Sequence, residues 1–271
     1  MSKAKSLFEE GHLDQAIAEL TREVKACPGN TEMRTFLFEL LCFAGEWDSA
    51  DRQLEVIGHQ SAHAKMGVEI YRNNIRAERE RRRLFSEGVS PHFLTEPPPY
   101  IDLLLEVIKG QHDSNDQKRT TLDRVDEERP LVSGRLNGYR FHDFRDCDEL
   151  TGPVLELFVQ DKYTWLPFEQ VRRIQIPAPR DLRDLLWIKA RVEALDGTMA
   201  EVFLPALYVG SSDHPDPEVK LGRRTEWKQY DNDLILGEGS RLFLVDDDEK
   251  QIFEARTIEF DAPSRQLAQT A

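Results

Sequence analysis

The 271-residue chain predicts an α+β fold: helical hairpins at the N-terminus, then a mainly antiparallel β domain with a few short helices. Three observations carry this expectation. Apolar, glycine and alanine positions recur at a spacing of 34 early in the chain. A stretch rich in glycine and proline, residues 86–99, then interrupts any helix. Beyond Pro130, short β-rich runs alternate with turn residues.

The repeat aligns Leu7, Gly11, Leu13, Ala16 and Leu20 with Leu41, Gly45, Trp47, Ala50 and Leu54. Each glycine can end one helix and let the chain turn, and each alanine is small where the second helix crosses the first. Pro28-Gly29-Asn30 breaks the first unit ahead of a helix over 31–44. Another helix over 64–85 carries Val68, Tyr71 and Ile75 on one side and would cover the open end of the second unit. The segment resembles the tetratricopeptide repeat, with departures: Phe38 stands at a position the family keeps small, and Ala62 replaces the closing proline. One more step of 34 lands on Arg79 and Leu84, so there are two repeats. That resemblance implies an inner groove for a partner helix. Its inward-facing positions map to Lys5, Phe8 and Glu9 in the first unit and Glu32, Thr35, Glu39, Cys42 and Phe43 in the second, with Phe8 and Phe43 as apolar anchors.

The helix over 64–85 ends in Arg76, Arg79, Arg81, Arg82 and Arg83 interleaved with Glu78 and Glu80. Such a run is expected to be a solvated face with local ion pairs; the sharper alternative is a docking surface for an acidic partner or for the chain's own acidic second half. The sequence divides into a helical repeat domain (1–86), a proline-rich linker (87–99) and an α+β domain (100–271). The last opens with a helix over 100–109 and another through Leu122 and Val125. Strands follow over 154–159, 163–166, 174–176, 187–194, 199–204, 241–245 and 252–260, with hairpins at Leu195-Asp196-Gly197 and at the acidic run 246–249.

Composition narrows the function classes. A net charge of −14 opposes a general phosphate-binding role, so no nucleic-acid partner is expected. No stretch has the length of a membrane span and the first ten residues lack a signal-type apolar core, which predicts a cytoplasmic protein without membrane attachment. Three cysteines without a CxxC pair point to reduced thiols. His59 and His63 have i, i+4 spacing but lack the glutamate and third ligand of a zinc helix. Gly237-Glu238-Gly239-Ser240 lacks the lysine and the following helix of a phosphate loop and reads as a turn. The run 246–249 lacks the ligand order of an EF-hand, and no nucleophile elbow is present. Neither cofactor, metal nor catalytic residue is predicted.

Five blocks extend the reading: Leu150-Thr-Gly-Pro-Val-Leu-Glu156, Tyr163-Thr-Trp-Leu-Pro-Phe168, Pro179-Arg-Asp-Leu-Arg-Asp-Leu-Leu-Trp187, Leu204-Pro-Ala-Leu-Tyr-Val-Gly-Ser211 and Leu221-Gly-Arg-Arg-Thr-Glu-Trp227. In this order they resemble the ImpE family, also called SciE or TagJ, over nearly the whole chain. The resemblance implies a cytosolic accessory factor of a bacterial type VI secretion system. It would bind a helix of the small contractile-sheath subunit, TssB or VipA, and link the sheath to the recycling ATPase ClpV, with no catalytic residue. Trp165, Trp187 and Trp227 are expected to be buried core. The alternative, from another class, is an enzyme or small-ligand binder with Asp143, Asp146, Asp148 and Glu149 near the mouth of a C-terminal site.

Overall fold

The computed structural model describes residues 3–60, 64–110, 114–230 and 234–262. Two helical hairpins open it, α1 (Lys3–Glu9) with α2 (Leu13–Ala26) and α3 (Thr31–Phe43) with α4 (Trp47–Gln60). Each repeat glycine sits where the chain must leave one helix in the left-handed region, Gly11 at φ +83° and Gly45 at φ +73°. Ala16 and Ala50 are fully buried at the helix crossings, as their small size requires. Asn30 caps α3 by accepting a 3.0 Å hydrogen bond from the Met33 amide. The long α5 (Lys65–Glu87) packs on α4, where Arg72 pairs with Asp51 at 2.8 Å. It then runs on across the sheet.

After α5 come β1 (His92–Phe93), α6 (Tyr100–Lys109) and α7 (Asn115–Glu128). The strands are β2 (Gly134–Leu136), β3 (Tyr139–Phe141), β4 (Phe144–Asp146), β5 (Val154–Val159), β6 (Lys162–Pro167), β7 (Val171–Gln175), β8 (Trp187–Ala194) and β9 (Met199–Pro205). A one-turn helix (Pro217–Lys220) leads to β10 (Thr225–Tyr230), β11 (Leu234–Gly239), β12 (Leu242–Val245), β13 (Asp248–Gln251) and β14 (Thr257–Phe260). Nine strands form one sheet in the order β1-β6-β5-β9-β8-β7-β14-β2-β3; β13-β12-β4 form a second and β10-β11 a ribbon. All pairings are antiparallel except β1 with β6. Alternating side chains give the sheet two apolar faces. One wraps a core of stacked rings in which Phe144 lies 5.0 Å from both Phe168 and Phe243. The other receives the helices.

Three local expectations change. The run 252–260 is not one strand: β13 ends before Ile252 and β14 begins at Thr257, because Gln251 and Glu254 close a turn between them. Gly237 and Gly239 lie within β11, paired with Trp227 and Thr225 of β10, and not in a turn; at Gly237 the Tyr208 ring comes so close that a Cβ would lie 2.4 Å from it. Trp165 and Trp187 are buried, but Trp227 on the ribbon keeps 37% of its surface exposed.

The proline-rich stretch is fastened along its length. His92 and Phe93 register with Thr164 and Trp165 of β6, and Phe93 meets the Trp165 ring edge-on at 6.5 Å. One continuous apolar core joins Leu37, Phe43 and Ile75 of the helices to Tyr163, Trp165 and Trp187 of the sheet. A chain truncated after Glu87 would expose the apolar side of α3 and α5 and strand the buried Glu78 and Arg81 in water-facing positions. It is expected to show helical circular dichroism without the cooperative melting of the full chain; a sharp, independent transition would show instead that the helices fold alone.

Candidate functional site

The sheet-facing side of α5 is set by residues spaced three and four apart: Asn74, Ala77, Glu78 and Arg81, all buried. Arg81 reaches Glu156 of β5 through Nε at 2.7 Å and Nη2 at 3.2 Å, and Glu78 through Nη1 at 3.2 Å. Arg241 approaches Glu156 from the other side and also donates to Asp146 and, at 3.0 Å, to the Pro205 carbonyl. The Tyr163 hydroxyl donates to Glu156 and accepts from Trp165 Nε1 at 2.5 Å. Trp187 Nε1 donates to Glu78 at 3.2 Å. Burial alone would raise the Glu156 carboxyl, but the Arg241 and Arg81 guanidiniums outweigh it and hold the group down to about 2. Asp148 has no such cation: burial and the Asp146 carboxylate push it up to about 7.

The eight groove positions do not meet on one open face. Lys5, Glu9 and Glu32 are exposed. Thr35 is half-buried and donates to the Thr31 carbonyl at 2.9 Å. Phe8 lies edge-on to Phe36 at 5.8 Å and beneath the Arg223 guanidinium, which donates to the Phe8 carbonyl at 2.9 Å. Glu39, Cys42 and Phe43 are buried. Glu39 accepts from Arg183 at 3.0 Å, and burial raises its carboxyl to about 7 against the pull of that guanidinium. Cys42 and Phe43 share a small void with Trp187. The reason lies far along the chain: residues 181–187 and 211–223 of the second half lie against the inner side of the repeats. A Cβ on Gly11 would come within 2.7 Å of Glu218, and one on Gly45 within 2.8 Å of Ser212.

The arginine run divides accordingly. Arg76, Arg79 and Arg83 pair with Glu69, Asp48 and Glu87 among the helices. Arg81 and Arg82 dock the second half, the latter through Ser212 at 3.0 Å and Asp213 at 2.6 Å. The four acidic residues of the alternative reading are each engaged. Asp143 takes both arms of Arg129, and Asp146 takes Arg241 with the Tyr208 hydroxyl donating to it at 2.9 Å. Asp148 accepts from the Leu150 and Gly237 amides, and Glu149 from Arg119 and the Ile235 amide. Among the described residues no group of three or more His, Cys, Asp or Glu is placed to hold a metal ion; His63 lies outside them.

A groove of about 660 Å³ lies between α5 and the free face of β7, β8 and β9. Asn73 and Asn74 line it from the helix, Lys189, Arg191 and Phe203 from the sheet. Sequence reasoning missed it. The signal was Asn74, a polar residue on the side of the helix that carries Tyr71, Ile75 and Ala77. Its Nδ2 is buried without a partner, a condition that costs about 1–3 kcal/mol.

Two measurements check this description. Because Glu156 is held below its ordinary value of 4.5, its contribution to stability is fully present above about pH 4.5 and is lost as pH falls toward 2. The melting temperature of the native chain should therefore fall across that window, and Glu156→Gln should flatten the fall while costing about 3 kcal/mol at pH 7. Glu39→Lys sets a second cation against Arg183 in a buried place and should destabilise by about 3 kcal/mol; an unchanged melting temperature would mean that this face is open in solution.

The description "ImpE protein" belongs to the family model that matches residues 138–259. The type VI secretion system accessory component TagJ of Pseudomonas aeruginosa is 35% identical over 259 residues, covering 95% of this chain and 91% of that protein. The crystal structure of protein VPA1032 from Vibrio parahaemolyticus superposes with a TM-score of 0.87 at 25% identity, over 96% of this chain and 98% of that one. The likeness to both runs through the helical hairpins as well as the sheet, so the whole molecule, and not only the matched segment of its second half, belongs to the ImpE family.

Proposed function

We propose that the protein is a non-catalytic, cytoplasmic adaptor of a type VI secretion system. It binds a helix of the small contractile-sheath subunit, TssB or VipA, and links the sheath to its recycling ATPase ClpV, without cofactor or metal. The near full-length likeness to a type VI secretion accessory component carries the reading. The accessory role follows from that likeness directly; the choice of partner is the finer step. Of the repeat positions assigned to partner binding, Lys5, Glu9 and Glu32 keep their side chains at the surface, with Thr35 at its edge. A helix laid on this side of α1 and α3 would meet charges of both signs before any apolar anchor, a pattern that sets orientation and encounter rate more than affinity. Arg223 and Arg183 hold Phe8 and Glu39 to the second half beneath it.

Isothermal titration of the full chain with the small sheath subunit tests the proposal. Binding is expected, and it should disappear when the subunit's docking helix is deleted. Lys5→Glu and Glu32→Lys should each weaken it about tenfold with little change in melting temperature. No heat with the sheath subunit, together with a rise in melting temperature on adding a metal ion or metabolite, would favour the ligand-binding alternative. EDTA is expected to leave the melting temperature unchanged.

A further inference from the structure

Asn74 is out of place by the ordinary rules of a helix–sheet contact. Only 1% of its surface is exposed, it lines the same groove as the apolar Phe158 and Phe203, and its Nδ2 has no hydrogen-bond partner. It lines the groove between α5 and the free face of β7, β8 and β9. Three more amides stand around that groove: Asn73 on α5, Gln160 at the β5–β6 turn and Gln175 on β7. The charges at the rim are unbalanced. Arg191 is paired with Glu201 at 3.1 Å, but among the described residues neither Lys189 nor Arg256 has a carboxylate partner. On a chain of net charge −14, this is a local cationic site.

We propose that the groove is a second docking site, for an extended segment of a partner protein in which apolar and acidic residues alternate. The argument for an extended ligand is hydrogen-bond supply. A helix satisfies its own main chain along its length, whereas an extended peptide presents free N–H and C=O groups that four side-chain amides can pair. Apolar side chains of such a segment meet Phe203, and its acidic ones meet Arg256 at the rim and Lys189, whose Nζ lies 5.8 Å from the Phe203 ring on the same face of the sheet. The site is separate from the exposed positions on α1 and α3 and does not depend on the partner assigned to them. An adaptor that joins two bodies needs two surfaces, and this one lies on a different part of the molecule.

The test uses the full chain and a fluorescein-labelled, end-capped hexapeptide alternating leucine and aspartate, followed by anisotropy. A leucine–lysine hexapeptide and a single-stranded oligonucleotide serve as comparators. The acidic peptide is expected to bind and the comparators to fail. Lys189→Glu and Arg256→Glu, both at exposed positions, should each weaken binding at least tenfold at unchanged melting temperature. Asn74→Leu should abolish it while leaving the melting temperature equal or higher, which a merely structural asparagine would not do. The proposal is overturned if the acidic peptide does not bind, if the oligonucleotide binds as well, or if the groove variants bind like the native chain. Titration with the sheath subunit runs beside it. Groove variants that lose the peptide but keep the subunit support the groove as a separate site, and loss of the peptide in Glu32→Lys counts against it.

Discussion

Glu156 pairs with the guanidiniums of both Arg81 and Arg241, and the way the helices are seated on the sheet is set by that contact. Arg81 belongs to α5, Glu156 to β5, and Arg241 stands at the entry to β12, so this contact ties together the helical layer, the large sheet and the small sheet. Charges buried this deeply are tolerated only when each is paired and its remaining donors are used. Glu78, Asp146, Tyr163 and the Pro205 carbonyl take up what is left over. The network gains less from its attraction than it would lose if one member were removed. It therefore fixes which face of α5 meets the sheet more than it adds to stability.

The same logic explains the closed repeats. Two hairpins cannot bury their apolar side alone, and here the covering surface is the chain's own second half. Phe43 and Cys42 disappear beneath Trp187, and Arg223 stacks over Phe8. The helices behave as one layer of an α+β molecule and not as a free solenoid with an empty groove.

Much of this was legible in the sequence, and the limit of legibility has a physical form. Helix and strand periods are local, so the 34-residue repeat, the helix over 100–109 and most strands follow from neighbours a few residues apart. What covers a face is not local. Glu39 reads as an inward-facing repeat position, yet its partner Arg183 stands 144 residues away. Arg81 looks like one more charge in a solvated run until Glu156, 75 residues on, is placed beneath it. Gly237 and Gly239 were misjudged because the close approach of the Tyr208 ring, which explains Gly237, depends on tertiary packing. Asn74 was visible as a polar interruption of an apolar stripe, but its lack of a partner could be seen only once the sheet was in place.

The short parallel strand β1 has a mechanical meaning. It follows α5 directly and lies on β6, the strand that supplies Tyr163 and Trp165 to the buried network. The β1–β6 pairing and the Arg81–Glu156 pair thus both join this stretch of chain to the sheet. Bonds loaded together share tension, whereas bonds loaded in turn break singly. The joint between the layers thus places a main-chain pairing and a buried ion pair in one chain segment, so that a load on that segment reaches both.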